Sequence, residues 1–227
     1  MLSLSKHGST NGPSTDSGRT AYQTKMNIVI VNYGSGNLRS VQRGLARAGF
    51  DAVICDDPQS VTDASHIIVP GVGAFRDCMK NLDARGLLKP ISDAIRAGKP
   101  YLGICLGYQI LFSVGEEFGS HPGLNLIPGR IVRFPEGNLK VPHMGWNRVW
   151  IRQPSPVWDG ISDGAYFYFV HSYYPKPTDT ASVAAVTEYG LSFPSAIVRD
   201  NIVACQFHPE KSQAVGLRLL ANFARMK

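Results

Sequence analysis

The feature that most constrains this chain is a cysteine placed between two glycines at the end of an apolar run. Residues 100–104 read Pro-Tyr-Leu-Gly-Ile, and Cys105 is followed by Leu-Gly-Tyr-Gln. Glycines two positions before and two positions after a nucleophile are typical of a sharp strand-to-helix turn, because neighbouring backbone leaves little room for a Cβ. The pattern predicts a buried strand, a thiol that projects from the end of the sheet, and a helix that reaches residue 113. The N terminus of that helix would stabilise a thiolate.

A second stretch, far along the chain, distinguishes a catalytic cysteine from an inert one. A single cysteine at a strand end is more often a buried structural residue. Residues 204–212, however, read Ala-Cys-Gln-Phe-His-Pro-Glu-Lys-Ser, and in an extended segment the side chains of His208 and Glu210 lie on one face. A cysteine nucleophile needs a base, and the base needs a partner that holds its tautomer. We therefore predict Cys105, His208 and Glu210 as a catalytic triad.

Composition argues against several other classes of protein. The 227 residues suffice for one domain with a large core, and no apolar run is long enough to cross a membrane. The net charge of +6 comes without a basic stripe, so no nucleic-acid partner is predicted. The six histidines show no metal-ligand spacing, so we predict neither a metal nor a cofactor. Four cysteines without close pairs predict free thiols in a reducing cytoplasm: Cys55, Cys78, Cys105 and Cys205.

The N-terminal segment differs from the rest of the chain. Residues 1–25 are rich in Ser, Thr and Gly and lack apolar periodicity, so they are predicted to be a disordered extension. They also lack the long apolar run of a secretory signal. Met26 begins the first predicted strand, and we expect the protein proper to start there, with one domain at 26–227.

Apolar runs and helical spacing predict an α/β fold. Alternating strands and helices come first and hairpins come later, which indicates a mixed, mostly parallel central sheet with helices on both faces. The stretch 141–147 is short and rich in Gly and Pro, so we expect a loop there. The predicted strands are 26–31, 52–55, 66–69, 100–104, 131–134, 147–151, 166–170, 182–186, 196–198 and 202–204, and the predicted helices are 38–48, 74–85, 87–97, 106–113 and 212–226.

These motifs together resemble a known family. The stretches Gly-Ile-Cys-Leu-Gly-Tyr-Gln (103–109) and Gln-Phe-His-Pro-Glu-Lys-Ser (206–212) are similar to those of class I, triad-type glutamine amidotransferases, which have a flavodoxin-like fold. Val-Pro-His-Met-Gly-Trp-Asn (141–147) and Tyr-Phe-Tyr-Phe-Val-His-Ser-Tyr-Tyr (166–174) resemble the glutaminase subunits of imidazole glycerol phosphate synthase. The similarity covers about residues 26–227.

The resemblance implies an activity and a partner. The chain would hydrolyse glutamine to glutamate and ammonia. The ammonia would pass to a (β/α)₈ cyclase subunit that makes imidazole glycerol phosphate and an aminoimidazole carboxamide ribotide (AICAR) in histidine biosynthesis. The resemblance further implies that the two subunits form a heterodimer.

The resemblance also implies roles around the cysteine. N–H groups of Val72, Gly73 and Leu106 would hold the oxyanion, although an ordinary tight turn at 70–75 is the alternative. Gln109, one helical turn beyond the cysteine and on the same face, would contact the substrate.

Further site residues follow from the resemblance alone. Glu117 would receive the α-amino group of glutamine, although a surface acid is the alternative. Tyr168 would lie near the substrate and the partner, and the carboxylate of glutamine would be held by His171, Ser172 and Tyr173. The proposed partner contacts are Asn37, Asn147 and Lys211.

Two alternatives remain open from the sequence. The same glutaminase chemistry could serve another synthase, of the pyridoxal phosphate or anthranilate type, and the stretch 141–147 argues against this. The chain could instead be a cysteine peptidase, or a non-catalytic relative that regulates a partner. A complete triad disfavours the regulator.

Overall fold

The computed structural model of the protein describes residues 26–137 and 139–227. The predicted disordered extension at 1–25 lies outside the described residues. The helices are α1 (Leu38–Arg47), α2 (Pro58–Asp63), α3 (Phe75–Ala84), α4 (Leu88–Arg96), α5 (Leu106–Gln109) and α6 (Gln213–Ala224). The strands are β1 (Ile28–Val31), β2 (Ala52–Cys55), β3 (His66–Gly71), β4 (Tyr101–Cys105), β5 (Phe112–Gly115), β6 (His121–Pro122), β7 (Ile127–Arg133), β8 (His143–Ile151), β9 (Ala165–His171), β10 (Tyr173–Pro177), β11 (Val183–Glu188), β12 (Ser192–Arg199) and β13 (Ile202–Cys205).

The central sheet has nine strands in the order β2-β1-β3-β4-β13-β12-β11-β8-β9. Its first five strands are parallel neighbours. The next four, beginning with β12, join antiparallel. A second sheet of four strands, β10-β7-β5-β6, lies beside it.

Helices cover both faces of the parallel half, because its strands are apolar throughout. On one face α1 and α6 bury Val41, Leu45, Leu219 and Phe223 against the sheet. On the other face the core side chains come from α2, α3 and α4, namely Val61, Leu82, Ile91 and Ile95. The predicted mixed sheet with helices on both faces is therefore confirmed.

The helix predicted after Cys105 is much shorter than expected. It ends at Gln109, and Phe112–Gly115 forms β5 instead of completing a second helical turn. Strand pairing explains the difference, since β5 lies between β6 and β7 in the second sheet. Gly115 also packs against the Phe75 ring, where a Cβ would come within 2.5 Å of the ring. Tertiary pairing therefore overrode the local helical pattern.

The loop predicted at 141–147 was also wrong, since His143 begins β8. This strand pairs with β9 from His143 to Val149, and His143 lies opposite His171. Gly145 adopts a φ of +129°, which a glycine tolerates within the strand. The Gly-Pro content predicted a loop, but pairing with β9 satisfies the backbone. The paired strands β8 and β9 are called the β8–β9 ribbon below.

Helix α2 was not predicted from the sequence. Pro58 occupies its first turn, and the Asp57 side chain caps it by accepting a hydrogen bond from the Ser60 N–H at 2.8 Å. The Asp-Pro signal was therefore present in the sequence.

Candidate active site

Cys105 lies at a sharp turn between β4 and α5. Its φ of 55° and ψ of −102° are unusual for a residue with a side chain, and such strain costs about 1–3 kcal/mol. The flanking glycines permit the turn. A Cβ on Gly103 would lie 2.5 Å from the Gly107 carbonyl oxygen, and one on Gly107 would lie 1.7 Å from the Val69 carbonyl oxygen. The turn predicted from the paired glycines is therefore present.

His208 and Glu210 reach the cysteine because β13 lies beside β4 in parallel. Cys205 pairs with Ile104, so the chain after β13 leaves the sheet at the same edge as Cys105. The His208 Nδ1 and a Glu210 carboxylate oxygen are 2.8 Å apart, and both side chains are almost fully buried. The predicted pairing of base and carboxylate is thus formed at this edge, which we call the catalytic edge.

The charge state of His208 is set by its neighbours. Burial by itself lowers the pKa of its imidazole, but the Cys105 sulfur and the Glu210 carboxylate outweigh burial and raise the pKa to about 10. The His208 Nε2 has no hydrogen-bond partner among the described residues. Among the groups that raise this pKa, Cys105 has the largest effect, and Nε2 is available to exchange a proton. Helix α5, with four residues, adds little dipole.

A cavity of about 330 Å³ opens onto the cysteine. Most of the predicted oxyanion and substrate residues line it, together with two residues that sequence reasoning did not assign, Pro142 and Val170. The predicted residues in its wall are Val72, Gly73, Cys105, Leu106, Gln109, Glu117, His171, Ser172 and Tyr173. A larger cavity of about 490 Å³, near Asn222 and Arg225 of the C-terminal region, contains none of them.

Glu117 is half-buried at the wall of this cavity. One of its carboxylate oxygens accepts a hydrogen bond from the Phe75 N–H at 2.7 Å. Phe75 is the first residue of α3, where a helix favours a negative charge. The bond therefore ties Glu117 to the loop that carries Val72 and Gly73.

The peptide between Val72 and Gly73 is held on one side. The Ser35 hydroxyl donates a hydrogen bond to the Val72 carbonyl at 2.6 Å. In a trans peptide the N–H points away from the carbonyl, so the Gly73 N–H is directed away from Ser35. Ser35 does not line the cavity, whereas Val72 and Gly73 do.

A hydrogen-bonded chain of side chains backs the cavity, and sequence reasoning missed two of its members, Gln206 and His143. The Gln109 Nε2 donates to the Tyr173 carbonyl at 3.1 Å and to the Gln206 Oε1 at 3.0 Å. The Gln206 Nε2 lies 3.5 Å from the Cys105 Sγ. The motif Gln-Phe-His-Pro-Glu contained Gln206, but nothing in its spacing signalled this contact.

The same carbonyl is held from the other side by two buried histidines. The His171 Nδ1 lies 2.8 Å from the Tyr173 carbonyl oxygen, and the His143 Nδ1 lies 2.9 Å from the His171 Nε2. The Asn147 amide nitrogen lies 3.1 Å from the His143 Nε2. Burial lowers the pKa of His143 to about 4 and that of His171 to about 3. Both imidazoles are therefore neutral at pH 7.

Comparison with known proteins identifies the family of this chain. Residues 29–226 match the family Glutamine amidotransferase class-I. This chain belongs to the class I glutamine amidotransferases. The chain is similar to the "Imidazole glycerol phosphate synthase subunit HisH" of Syntrophotalea carbinolica, with 55% identity over 205 residues, covering 88% of this chain and 100% of that protein. The protein of the same name from Aquifex aeolicus is 47% identical over 201 residues, covering 88% of this chain and 97% of that protein.

Solved structures share the fold of this amidotransferase chain at low sequence identity. One described as "Crystal structure of glutamine amidotransferase" has a TM-score of 0.66 and 19% identity, covering 88% of this chain and 99% of that one. PurLQS from Thermotoga maritima has a TM-score of 0.67 and 16% identity, covering 87% of this chain and 97% of that one.

Tyr168 of this amidotransferase chain is not in the cavity wall. Its main-chain carbonyl accepts a hydrogen bond from the His208 N–H at 2.9 Å, so it contacts the triad through the backbone. Its ring lies 6.2 Å from the Trp146 ring and 5.5 Å from the Lys211 Nζ. The predicted substrate role of Tyr168 therefore stays a prediction, and its ring belongs to the outer face of the ribbon.

The other two predicted partner contacts, Asn147 and Asn37, differ in the hydrogen bonds that their side chains form. The Asn147 amide donates to the Glu188 carbonyl at 2.9 Å, besides its bond to His143. The side chain of Asn37 forms no capping bond at α1, and its carbonyl accepts from the Ser40 and Val41 N–H groups. Within residues 26–137 and 139–227, the amidotransferase chain has no helix long and apolar enough to cross a membrane and no cluster of side chains suited to hold a metal.

Proposed function

We propose that this chain hydrolyses glutamine to glutamate and ammonia and delivers the ammonia to a cyclase subunit of imidazole glycerol phosphate synthase, in the cytoplasm. The observation that carries the proposal is the buried His208–Glu210 pair beside Cys105, which itself lines a cavity of about 330 Å³. That volume is in the range of pockets for small ligands.

The reaction uses the charges already present at the catalytic edge. The Cys105 thiolate attacks the side-chain carbonyl of glutamine, and the Val72–Gly73 loop and Leu106 hold the oxyanion. His208, with its pKa raised to about 10 by Cys105 and Glu210 against the effect of burial, gives its proton to the leaving nitrogen, and ammonia departs. His208 then takes a proton from water, which attacks the thioester and releases glutamate. Glu210 holds the imidazole in one tautomer throughout.

Each part of the cavity wall would bind a different group of the glutamine substrate. Glu117 would receive the α-amino group, since one of its oxygens is not used by the Phe75 N–H. Backbone groups of His171, Ser172 and Tyr173 would hold the carboxylate. Gln109 would contact the glutamine side chain.

The partner would dock on the outer face of the β8–β9 ribbon. Three large apolar side chains are exposed there, Met144, Trp146 and Tyr166, with between 46% and 63% of each accessible. Exposed patches of this kind mark interaction surfaces, and Lys211 and Tyr168 lie beside them. The relatives named as subunits of imidazole glycerol phosphate synthase support a (β/α)₈ cyclase as the partner. Ammonia becomes ammonium in bulk water, so a protected passage between the subunits is required.

The test is glutamate release from glutamine by this chain, alone and with the cyclase and its nucleotide ligand. Strong stimulation by the liganded cyclase, lost in Cys105→Ala and retained in Cys55→Ala, is the expected result. Cys55 is a suitable control because it lies half-buried on β2, outside the cavity wall.

Two results would overturn parts of the proposal. Glutaminase activity that is indifferent to this cyclase would keep the triad but assign the chain to another synthase. No activity under any condition would favour the non-catalytic relative.

A further inference from the structure

Gln206 lies beside the nucleophile, yet no motif assigns it a role. Its side chain is fully buried, and its Nε2 is 3.5 Å from the Cys105 Sγ, within hydrogen-bonding distance for sulfur. We propose that Gln206 is a catalytic residue that donates an N–H to the Cys105 sulfur and stabilises its thiolate. The inference rests on the proposed function, because it concerns the nucleophile of that reaction.

The orientation of the Gln206 amide follows from its neighbours. A main-chain carbonyl only accepts hydrogen bonds, so Gln109 must turn its Nε2 toward the Tyr173 carbonyl at 3.1 Å. The second hydrogen on that Nε2 points to Gln206 at 3.0 Å, so Gln206 must present its oxygen there. Its Nε2 is then the atom that faces the sulfur. The assignment of nitrogen and oxygen is thus dictated by one backbone oxygen.

The Tyr173 carbonyl is itself fixed from the opposite side. The His171 Nδ1 must carry a proton to donate to that oxygen, so its Nε2 accepts from the His143 Nδ1. The His143 Nε2 then accepts from the Asn147 amide, whose own orientation is set by the Glu188 carbonyl. One set of neutral tautomers satisfies every bond in this chain, which runs from β8 to the sulfur.

The other titratable groups near the sulfur do not compete with Gln206. Burial raises the pKa of Cys78 on α3 to about 12, and it raises those of Cys205 on β13 and Tyr33 after β1 well above their ordinary values. These groups stay neutral at pH 7. The charged groups that face the sulfur from the segment after β13 are His208 and its partner Glu210, and Glu117 lies at the wall of the same cavity.

A donor at this position has a specific consequence. Cys105 is only 7% exposed, so water supplies few hydrogen bonds to a thiolate there. A hydrogen bond to a charged atom is stronger than one to a neutral atom, so the Gln206 N–H favours the thiolate over the thiol. It also holds the sulfur on the side of β13.

The experiment is the pH dependence of iodoacetamide alkylation at Cys105, followed by mass spectrometry of the peptide that contains it. In Gln206→Met, which keeps the length and removes the donor, the midpoint pH of alkylation should rise by about one unit. The kcat for glutamine should fall about tenfold, with a much smaller change in KM. Gln59→Met, on the exposed surface of α2, is the matched control and should leave the midpoint unchanged.

A second variant covers the case in which Gln206→Met does not fold. Gln206→Glu has the same shape, and its carboxylate would repel the thiolate, so the midpoint should again rise. A midpoint that does not move in a folded variant, judged by circular dichroism and the thermal midpoint, would show that Gln206 only fills space. Alkylation does not require glutamine turnover, so this failure is distinct from failure of the proposed function, which would appear as a wild-type chain without glutaminase activity.

Discussion

The catalytic edge and the β8–β9 ribbon form two sides of one cavity, but they are built differently. At the catalytic edge every residue of β4 and β13 is buried, and backbone geometry positions Cys105. In the ribbon, buried and exposed residues alternate along β8 and β9. Inward side chains such as His143 and His171 form a hydrogen-bonded chain there, while outward ones such as Trp146 remain exposed. The catalytic edge holds the Cys105 sulfur in place through its backbone. The ribbon orients polar side chains across the sheet through hydrogen bonds.

Histidine behaves in opposite ways in the two regions. His208 has a pKa of about 10 because the charges of Cys105 and Glu210 outweigh its burial. Burial lowers the pKa of His143 to about 4 and that of His171 to about 3, and no carboxylate contacts either ring among the described residues. Burial thus gives a charged or a neutral imidazole depending on the partner it meets.

The largest expected effect tests the rigidity of the catalytic edge. Gly107→Ala places a Cβ 1.7 Å from the Val69 carbonyl oxygen, so β3 and the elbow cannot both keep their positions. We expect a loss of about 4 kcal/mol or more in the free energy of unfolding, measured by urea denaturation. Gly137→Ala is the control, since nothing lies within 4 Å of its Cβ position and its φ lies outside the left-handed region. A tolerated Gly107→Ala would contradict the idea that backbone contacts hold Cys105.

The next prediction concerns the carboxylate at the same edge. Glu210→Gln leaves the shape but removes the charge that holds and stabilises the His208 imidazolium. The kcat for glutamine should fall by about 10²–10⁴-fold, and the thermal midpoint should also fall, because removing one partner of a buried ion pair leaves the other charge uncompensated. Steady-state kinetics with and without the cyclase partner measure it. A loss below tenfold would mean that Cys105 and His208 function without the third member.

A substitution in the ribbon should act on binding more than on chemistry. His143→Phe keeps the stacking on Tyr189, at 4.0 Å between ring centroids, but removes the bonds to His171 and Asn147. We expect a loss of about 1–3 kcal/mol in stability, because His171 and Asn147 lose a buried partner. The KM for glutamine should rise more than kcat falls.

The neighbouring variant Met144→Leu, on the exposed face of β8, serves as its control. If His143→Phe lowered kcat and left KM unchanged, the ribbon would be part of the chemistry and the contrast with the catalytic edge would fail.

Acid should weaken the ribbon before the catalytic edge. His143 and His171 have folded pKa values lowered by burial, to about 4 and about 3, against 6.5 unfolded. Their contribution to stability is therefore fully present above pH 6.5 and is lost as the pH falls toward 4, by about 1.4 kcal/mol per pH unit for each group. His208 is protonated in both states well below pH 6.5, so it adds no slope there.

The measurement is the free energy of unfolding by urea between pH 5 and pH 6.5, for the wild type and for His143→Phe. The variant should show the shallower slope. His66, whose pKa is also lowered by burial, contributes equally to both proteins and cancels. Identical slopes would mean that His143 does not titrate in this way.

The smallest effect on stability is expected at the outer face. Lys211→Ala removes an exposed ammonium that lies 5.5 Å from the Tyr168 ring, and such contacts contribute about 0.5–1 kcal/mol. The thermal midpoint should therefore move little, whereas affinity for the cyclase, measured by calorimetry, should fall. Unchanged affinity and unchanged coupling of glutamine hydrolysis to cyclase activity would remove Lys211 from the proposed interface.

The sequence alone determined the elements whose signals are local. The apolar runs of β1 to β4 and the hairpin of β12 and β13 were readable from adjacent residues, and so was the elbow at Cys105, because paired glycines leave few other conformations. His208 and Glu210 were readable because two residues in an extended segment share a face.

Tertiary structure decided the features that depend on register between distant strands. Glycine and proline in 141–147 hid the first part of β8, although strands were predicted at 147–151 and 166–170, and a helical pattern hid β5. The Gln206–Cys105 contact joins residues 101 positions apart, and Gln109–Gln206 joins residues 97 apart. Apolar periodicity reports which face a residue occupies, but not which residue lies opposite it. The cavity wall behind Cys105 therefore became visible only once β4, β13 and the ribbon were placed side by side.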